Sequence, residues 1–167
     1  MLGTVTGAVL MATAFWVLSG FVPPLSNSVR AAGVVIGAAV VWATKDAALF
    51  KRFRLPENQR QIPPEVLFRS GLSGPFQFGF EIGTGVRTYL PTGAPHVVAI
   101  LLLLSAPTIV EAVVCGASFG VGRGVQQVAT AVARNRDCFQ EGWQRPVSAI
   151  GPFVSAITAL GGVAVLL

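Results

Sequence analysis

Residues 3–22 read GTVTGAVLMATAFWVLSGFV, a run of twenty without a charge or a proline. A helix rises 1.5 Å per residue, so such a run matches the roughly 30 Å hydrocarbon layer of a bilayer. Pro23-Pro24 and then Ser26-Asn27-Ser28 end it in a polar turn. The run resembles a signal peptide in its apolarity, but no Lys or Arg precedes it and no small-residue processing site follows, so a retained span is expected.

Outward from this stretch the composition says the same. Of 167 residues 53% are apolar and 11% charged, and the mean hydropathy is +0.68. A soluble domain carries about 25% charged residues, and a disordered chain is polar and strongly charged. Both classes are excluded, which leaves a single integral membrane domain over residues 1–167. The net charge of +5 is not a nucleic-acid signature, because the basic residues gather in two short polar stretches beside apolar runs. Membrane lipid is therefore the expected partner, together with a second copy of the chain or another membrane protein, and nucleic acid is not.

The remaining runs extend the pattern. Arg30 opens a second apolar segment, 31–50, with Lys45 and Asp46 in its last turns, where long side chains reach the headgroups. A basic loop broken by Pro56, Pro63 and Pro64 fills residues 51–69. The next apolar stretch, 71–104, is too long for one straight span and is interrupted by Gly83, Gly85, Pro91, Gly93 and Pro95, so it reads as a discontinuous helix. Spans at 108–127 and 147–167 complete an all-α polytopic bundle of about five spans. Cytoplasmic loops collect Lys and Arg. Five such residues lie in 51–69 and four more at Arg123, Arg134, Arg136 and Arg145, against Arg30 alone in the opposite turns. The expected topology is a multi-pass plasma-membrane protein with its N-terminus cytoplasmic and its C-terminus outside. A six-span alternative divides 71–133 into three crossings and places Arg134, Arg136 and Arg145 on the outer face.

Small residues four apart let helix backbones approach in lipid. Gly3 with Gly7, Gly33 with Gly37, Gly79 with Gly83, and Gly116, Gly120 and Gly124 form such stripes. The run Gly120-Val121-Gly122-Arg123-Gly124 is not a phosphate loop, since no strand precedes it and the Gly-Lys-Ser/Thr ending is missing.

Ionisable residues within spans cost roughly 2.5–3.5 kcal/mol on insertion scales and so mark candidate sites. Glu81 and Arg87 fall on the broken segment and Glu111 on the fourth span. Discontinuous membrane helices expose backbone polar groups at mid-membrane and bind solutes there. The candidate substrate- or ion-binding set is Glu81, Thr84, Arg87, Thr88 and Glu111, with either carboxylate pairing with Arg87 or taking a proton or cation. No catalytic constellation, metal site or cofactor motif is present: His96 is the single histidine, and Cys115 and Cys138 form no Cys-x-x-Cys pair. The chain is not expected to be an enzyme.

The run Phe76-x-x-Gly79-x-x-x-Gly83, followed by Pro91 and Pro95 ahead of Val97-Val98-Ala99-Ile100-Leu101, resembles the proline-broken helix of the DsbD and CcdA transmembrane electron-transfer proteins. Phe119-Gly120-Val121-Gly122-Arg123 resembles the glycine-rich helix end of that wider superfamily, which also contains exporters. The likeness covers about fifty residues. It implies a broken helix at the centre of the fold and small-solute transport. Redox members carry a membrane cysteine beside the helix-breaking proline, whereas Leu90 precedes Pro91 here. A thiol relay would have to use Cys115. A third role, a non-catalytic assembly subunit, would use the glycine stripes and the basic 51–69 loop.

Overall fold

The structure is a computed structural model that describes residues 1–46, 71–85, 90, 92–133, 142, 150, 151 and 153–164. The described residues contain helices and no strand. In chain order the helices are α1 (Leu2–Ser19), α2 (Asn27–Val41), α3 (Ser73–Thr84), α4 (Ala94–Ser105) and α5 (Ile109–Val132), then α6 (Phe153–Ala164). The polar loops 51–69 and 134–141, Arg87, Thr88, Cys138 and the start of the last expected span lie outside the described residues.

Helix boundaries follow local chemistry. α1 ends in a tightened turn, with the amides of Gly20, Phe21 and Val22 donating three residues back to Val17, Leu18 and Ser19 at 3.1 Å, and Pro23 forbids continuation. Ser26 caps α2, its hydroxyl accepting from the Val29 amide at 3.4 Å. α2 then widens into one π-helical turn, Trp42–Asp46. The Thr44 hydroxyl there donates to Val40 O at 2.7 Å. Thr4, Thr6, Thr13, Thr130 and Thr158 likewise donate to a carbonyl three or four residues back on their own helices. A hydroxyl satisfied in this way can face an apolar solvent without stranding a donor.

Among the described residues two helices, Leu2–Ser19 and Asn27–Lys45, are long and apolar enough to cross a membrane. Within the chain only 33% and 17% of these windows are buried. A core helix of a soluble protein is covered by its neighbours, whereas α1 is apolar on all sides and leaves Leu10, Val17 and Leu18 half exposed. The stretch 71–104 is helical in two separate twelve-residue pieces, α3 and α4. Each is about 18 Å long, too short to cross alone.

The described chain divides into two compact units. One holds Met1–Ala14 with α3 and α5. Here three glycine stripes meet. Gly3 lies against the Phe76 carbonyl, Gly7 against the Phe80 carbonyl and Gly83 against the Thr4 carbonyl. A Cβ on Gly116 would stand 2.9 Å from Ala8 O, and one on Gly120 2.6 Å from Val5 Cα. α1 therefore runs parallel to α3 and antiparallel to α5, backbone on backbone, with Thr4 fully buried among them.

The other unit holds the end of α1 with α2, α4 and α6. Its core is Val41, Val97 and Ala159, flanked by Ala38 and Ile100. Gly33 and Gly37 receive the side chains of Leu104 and Ile100, so α2 and α4 are antiparallel. Arg30, at the start of α2, clips them together: its Nε donates to Leu25 O and its Nη1 to Ser105 O, both at 3.1 Å. Ser105 ends α4, where carbonyls lack helical partners and the dipole favours a cation. Arg30→Gln is expected to lower stability by about 1–2 kcal/mol after allowing for partial exposure, read as a lower thermal midpoint by circular dichroism in detergent.

Candidate functional site

α3 is a short apolar helix that carries one carboxylate on a covered face. Gly74, Gly79 and Gly83 allow its backbone to approach its neighbours, and Glu81 is drawn in with them, 8% exposed. One turn before it, Gln77 Nε2 donates to Glu81 Oε1 at 3.1 Å. One turn after it, the Thr84 hydroxyl donates to the Glu81 carbonyl at 2.8 Å, leaving the Thr84 oxygen lone pairs as acceptors. The rings of Phe76 and Phe80 stack at 6.4 Å on the same helix.

The helix stops immediately beyond. Gly85 takes the left-handed conformation at φ 69°, and its amide closes on Ile82 O at 3.2 Å. A side chain at Gly85 would strain this turn, which is why the break falls on glycine. The C-terminal end of α3 carries the negative pole of the helix dipole. A buried carboxylate, a hydroxyl oxygen and that pole therefore occupy one turn, and all three favour a proton or a metal cation over an anion.

Glu111 stands in the first turn of α5. It is exposed, and its Oε2 accepts from the Thr108 amide at 2.7 Å while Thr108 Oγ1 accepts from the Glu111 amide at 3.3 Å. This is a reciprocal cap on α5. The pattern Thr108-x-x-Glu111 ahead of an apolar run carries that signature in the sequence itself. Thr108→Ala is expected to cost about 1 kcal/mol, measured as a lower unfolding midpoint of the purified protein.

Of the five candidates, the structure thus describes Glu81 and Thr84 in one turn and Glu111 at a helix start. Arg87 and Thr88 lie outside the described residues. His96 stands in the first turn of α4, its amide donating to Gly93 O at 2.9 Å. Cys115 is a free, half-buried thiol on α5. Among the described residues no three metal-ligating side chains come together. Arg30, the exception to the charge asymmetry, has a structural task that spans 75 residues of separation.

No protein-family model, curated protein or solved structure matches this chain.

Proposed function

We propose that the chain is a small polytopic membrane protein that moves a small solute or ion, a cation or proton first among these, through a site at the broken end of α3. One observation carries this reading: the Glu81 carboxylate is buried on a twelve-residue apolar helix that ends in a left-handed glycine one turn later. A carboxylate is expensive in an apolar setting, and a broken helix supplies backbone polarity there without further charges. Glu81 and Thr84 are the proposed ligands, with Arg87 and Thr88 next in sequence.

Location in a plasma membrane, with about five spans and a cytoplasmic N-terminus, belongs to the same proposal. It draws on two apolar helices left mostly uncovered by the chain and on the basic residues of 51–69 and 123–145. Self-association is proposed with it, since short helices enclose little volume for a pathway. The assembly-subunit alternative would rely on the basic 51–69 loop, because the glycine stripes are used in contacts inside the two units. The resemblance to transmembrane electron-transfer proteins supports the broken-helix architecture more than thiol chemistry, for Cys115 lies on α5 and Gly85, not a cysteine, closes α3.

The test is flux into liposomes reconstituted with the purified chain, with trapped pyranine reporting protons and radioactive sodium and potassium reporting metal cations. Flux above protein-free liposomes for one of the three, falling at least tenfold in Glu81→Gln, is the expected result. Flux unchanged in Glu81→Gln, or no flux of any of the three, overturns it.

A further inference from the structure

Side chains on a helix tilt toward its N-terminus, and residues four apart meet on one face. Glu81 follows both rules. Its carboxylate is carried back over the preceding turn, where the Nε2 of the partly buried Gln77 donates to Oε1 at 3.1 Å. The Thr84 hydroxyl and the left-handed Gly85 lie on the other side, toward the end of α3. Gln77 is a neutral donor, so it gives the carboxylate a hydrogen bond without cancelling its charge.

That difference has a consequence for transport. A carrier that takes up a cation at Glu81 also passes through a form without it, and there the carboxylate keeps its charge in a covered position. Burying a charge is costly unless it is hydrogen-bonded, and a bond to a charged acceptor lowers the cost by more than an ordinary hydrogen bond does. A cation arriving at Glu81 draws on the same oxygens, so the amide contributes less once it is there. Gln77 therefore favours the form without cargo, and the cation binds more weakly by that difference. Conduction needs such moderation, because an ion must bind well enough to enter and loosely enough to leave.

We propose that Gln77 is the internal competitor of the transported cation: its amide holds the Glu81 carboxylate against the cation and so sets both the affinity of the site and the ease of release. The inference rests on the transport reading above. Gln77 acts through Glu81 and is a positioning residue, not a ligand of the cation.

The test is the concentration dependence of initial flux into liposomes that hold the full chain, with pyranine for protons and radioactive sodium and potassium for metal cations, normalised to folded protein. Gln77→Leu removes the donor, and the half-saturating cation concentration is expected to fall about tenfold, the ratio equivalent to roughly 1.4 kcal/mol for a lost hydrogen bond to a charged group. The maximal rate should fall with it, because the cation leaves more slowly. Gln77→Lys replaces the amide by a charged donor, and the half-saturating concentration should rise by at least about tenfold, since a charge-assisted bond is roughly twice as strong as a neutral one. Opposite shifts are a result that a packing role for Gln77 does not produce. If Gln77→Leu does not fold, the rise in Gln77→Lys decides alone. Half-saturation that is unchanged in a folded variant, or that moves the same way in both, overturns the proposal. Where flux still depends on Glu81 in that case, the transport reading stands and the role of Gln77 falls. Flux indifferent to Glu81→Gln, or absent from the unmodified chain, overturns both.

Discussion

Gly83→Val disassembles the unit built on α1, α3 and α5. The Cβ that valine brings falls on the Thr4 carbonyl, with Thr4 C and Cα both 2.8 Å away. All three are backbone atoms of a helix, so no rotamer change relieves the contact. α1 must move off α3, and it carries Gly3 and Gly7 with it, each seated on a carbonyl of α3. Overpacking a close contact costs roughly 1–3 kcal/mol when side chains can adjust, and more when they cannot. A loss of at least about 3 kcal/mol is therefore expected, enough to unfold much of a marginally stable domain. Thermal unfolding in detergent, followed at 222 nm, is the measurement.

The control comes from glycines with open surroundings. Gly122 lies on α5 between Gly120 and Gly124, yet among the described residues nothing stands within 4 Å of a Cβ placed on it, and the same holds for Gly161 on α6. Gly122→Ala and Gly161→Ala should be neutral or stabilising by up to about 1 kcal/mol, because alanine restricts the unfolded chain and favours helix. A midpoint for Gly83→Val equal to that of Gly122→Ala would mean that α1 and α3 do not pack as described.

The sequence made these contacts legible because close helix approach leaves a periodic trace. Spacing of four marked Gly3 and Gly7, Gly33 and Gly37, Gly79 and Gly83, and the Gly116 series, and all of them lie at helix contacts. Gly122 shares the composition of that series but not its spacing, and among the described residues it packs on nothing. The break after α3 was legible for a related reason: Gly83 and Gly85 stand where α3 stops, and Gly93 and Pro95 where α4 begins. Hydropathy set the helix ends less well. The run from 3 to 22 is uniformly apolar, yet α1 closes at Ser19 through a hydroxyl bond to Trp16 O and a tightened turn, and both are local geometry that no apolarity average records. α5 runs beyond the 108–127 span to Val132, in keeping with a helix that continues from Gly124 towards Ala133 outside the bilayer, since Gln126, Gln127 and Thr130 are helix-compatible although less apolar. The spacing of Thr108 and Glu111 is that of a capping box, and the two residues form one. Arg30 had no local signal at all, because its partner Ser105 is brought to it only by the antiparallel pairing of α2 with α4.

The Glu81→Gln variant is expected to separate what Glu81 does for stability from what it does for transport. Glutamine has the same shape and keeps an Oε1 acceptor for Gln77, so the 3.1 Å bond survives, and the Phe76–Phe80 stack beside it is untouched. Removing a charge from a covered position also removes its desolvation penalty, which offsets the weaker hydrogen bond. The net change in stability should stay within about 1 kcal/mol. Flux should behave differently, because an amide at this position neither carries a proton nor neutralises a cation, and no second carboxylate among the described residues shares the turn. A drop of at least tenfold is what about 1.4 kcal/mol of lost cation binding produces. Glu81→Asp supplies the complementary measurement: it keeps the charge but withdraws it by one methylene, so partial flux with the same cation preference is expected. If Glu81→Gln instead lowers the unfolding midpoint as far as Gly83→Val does, while Glu81→Asp restores stability and flux together, the carboxylate holds α3 in place and the transported species binds elsewhere.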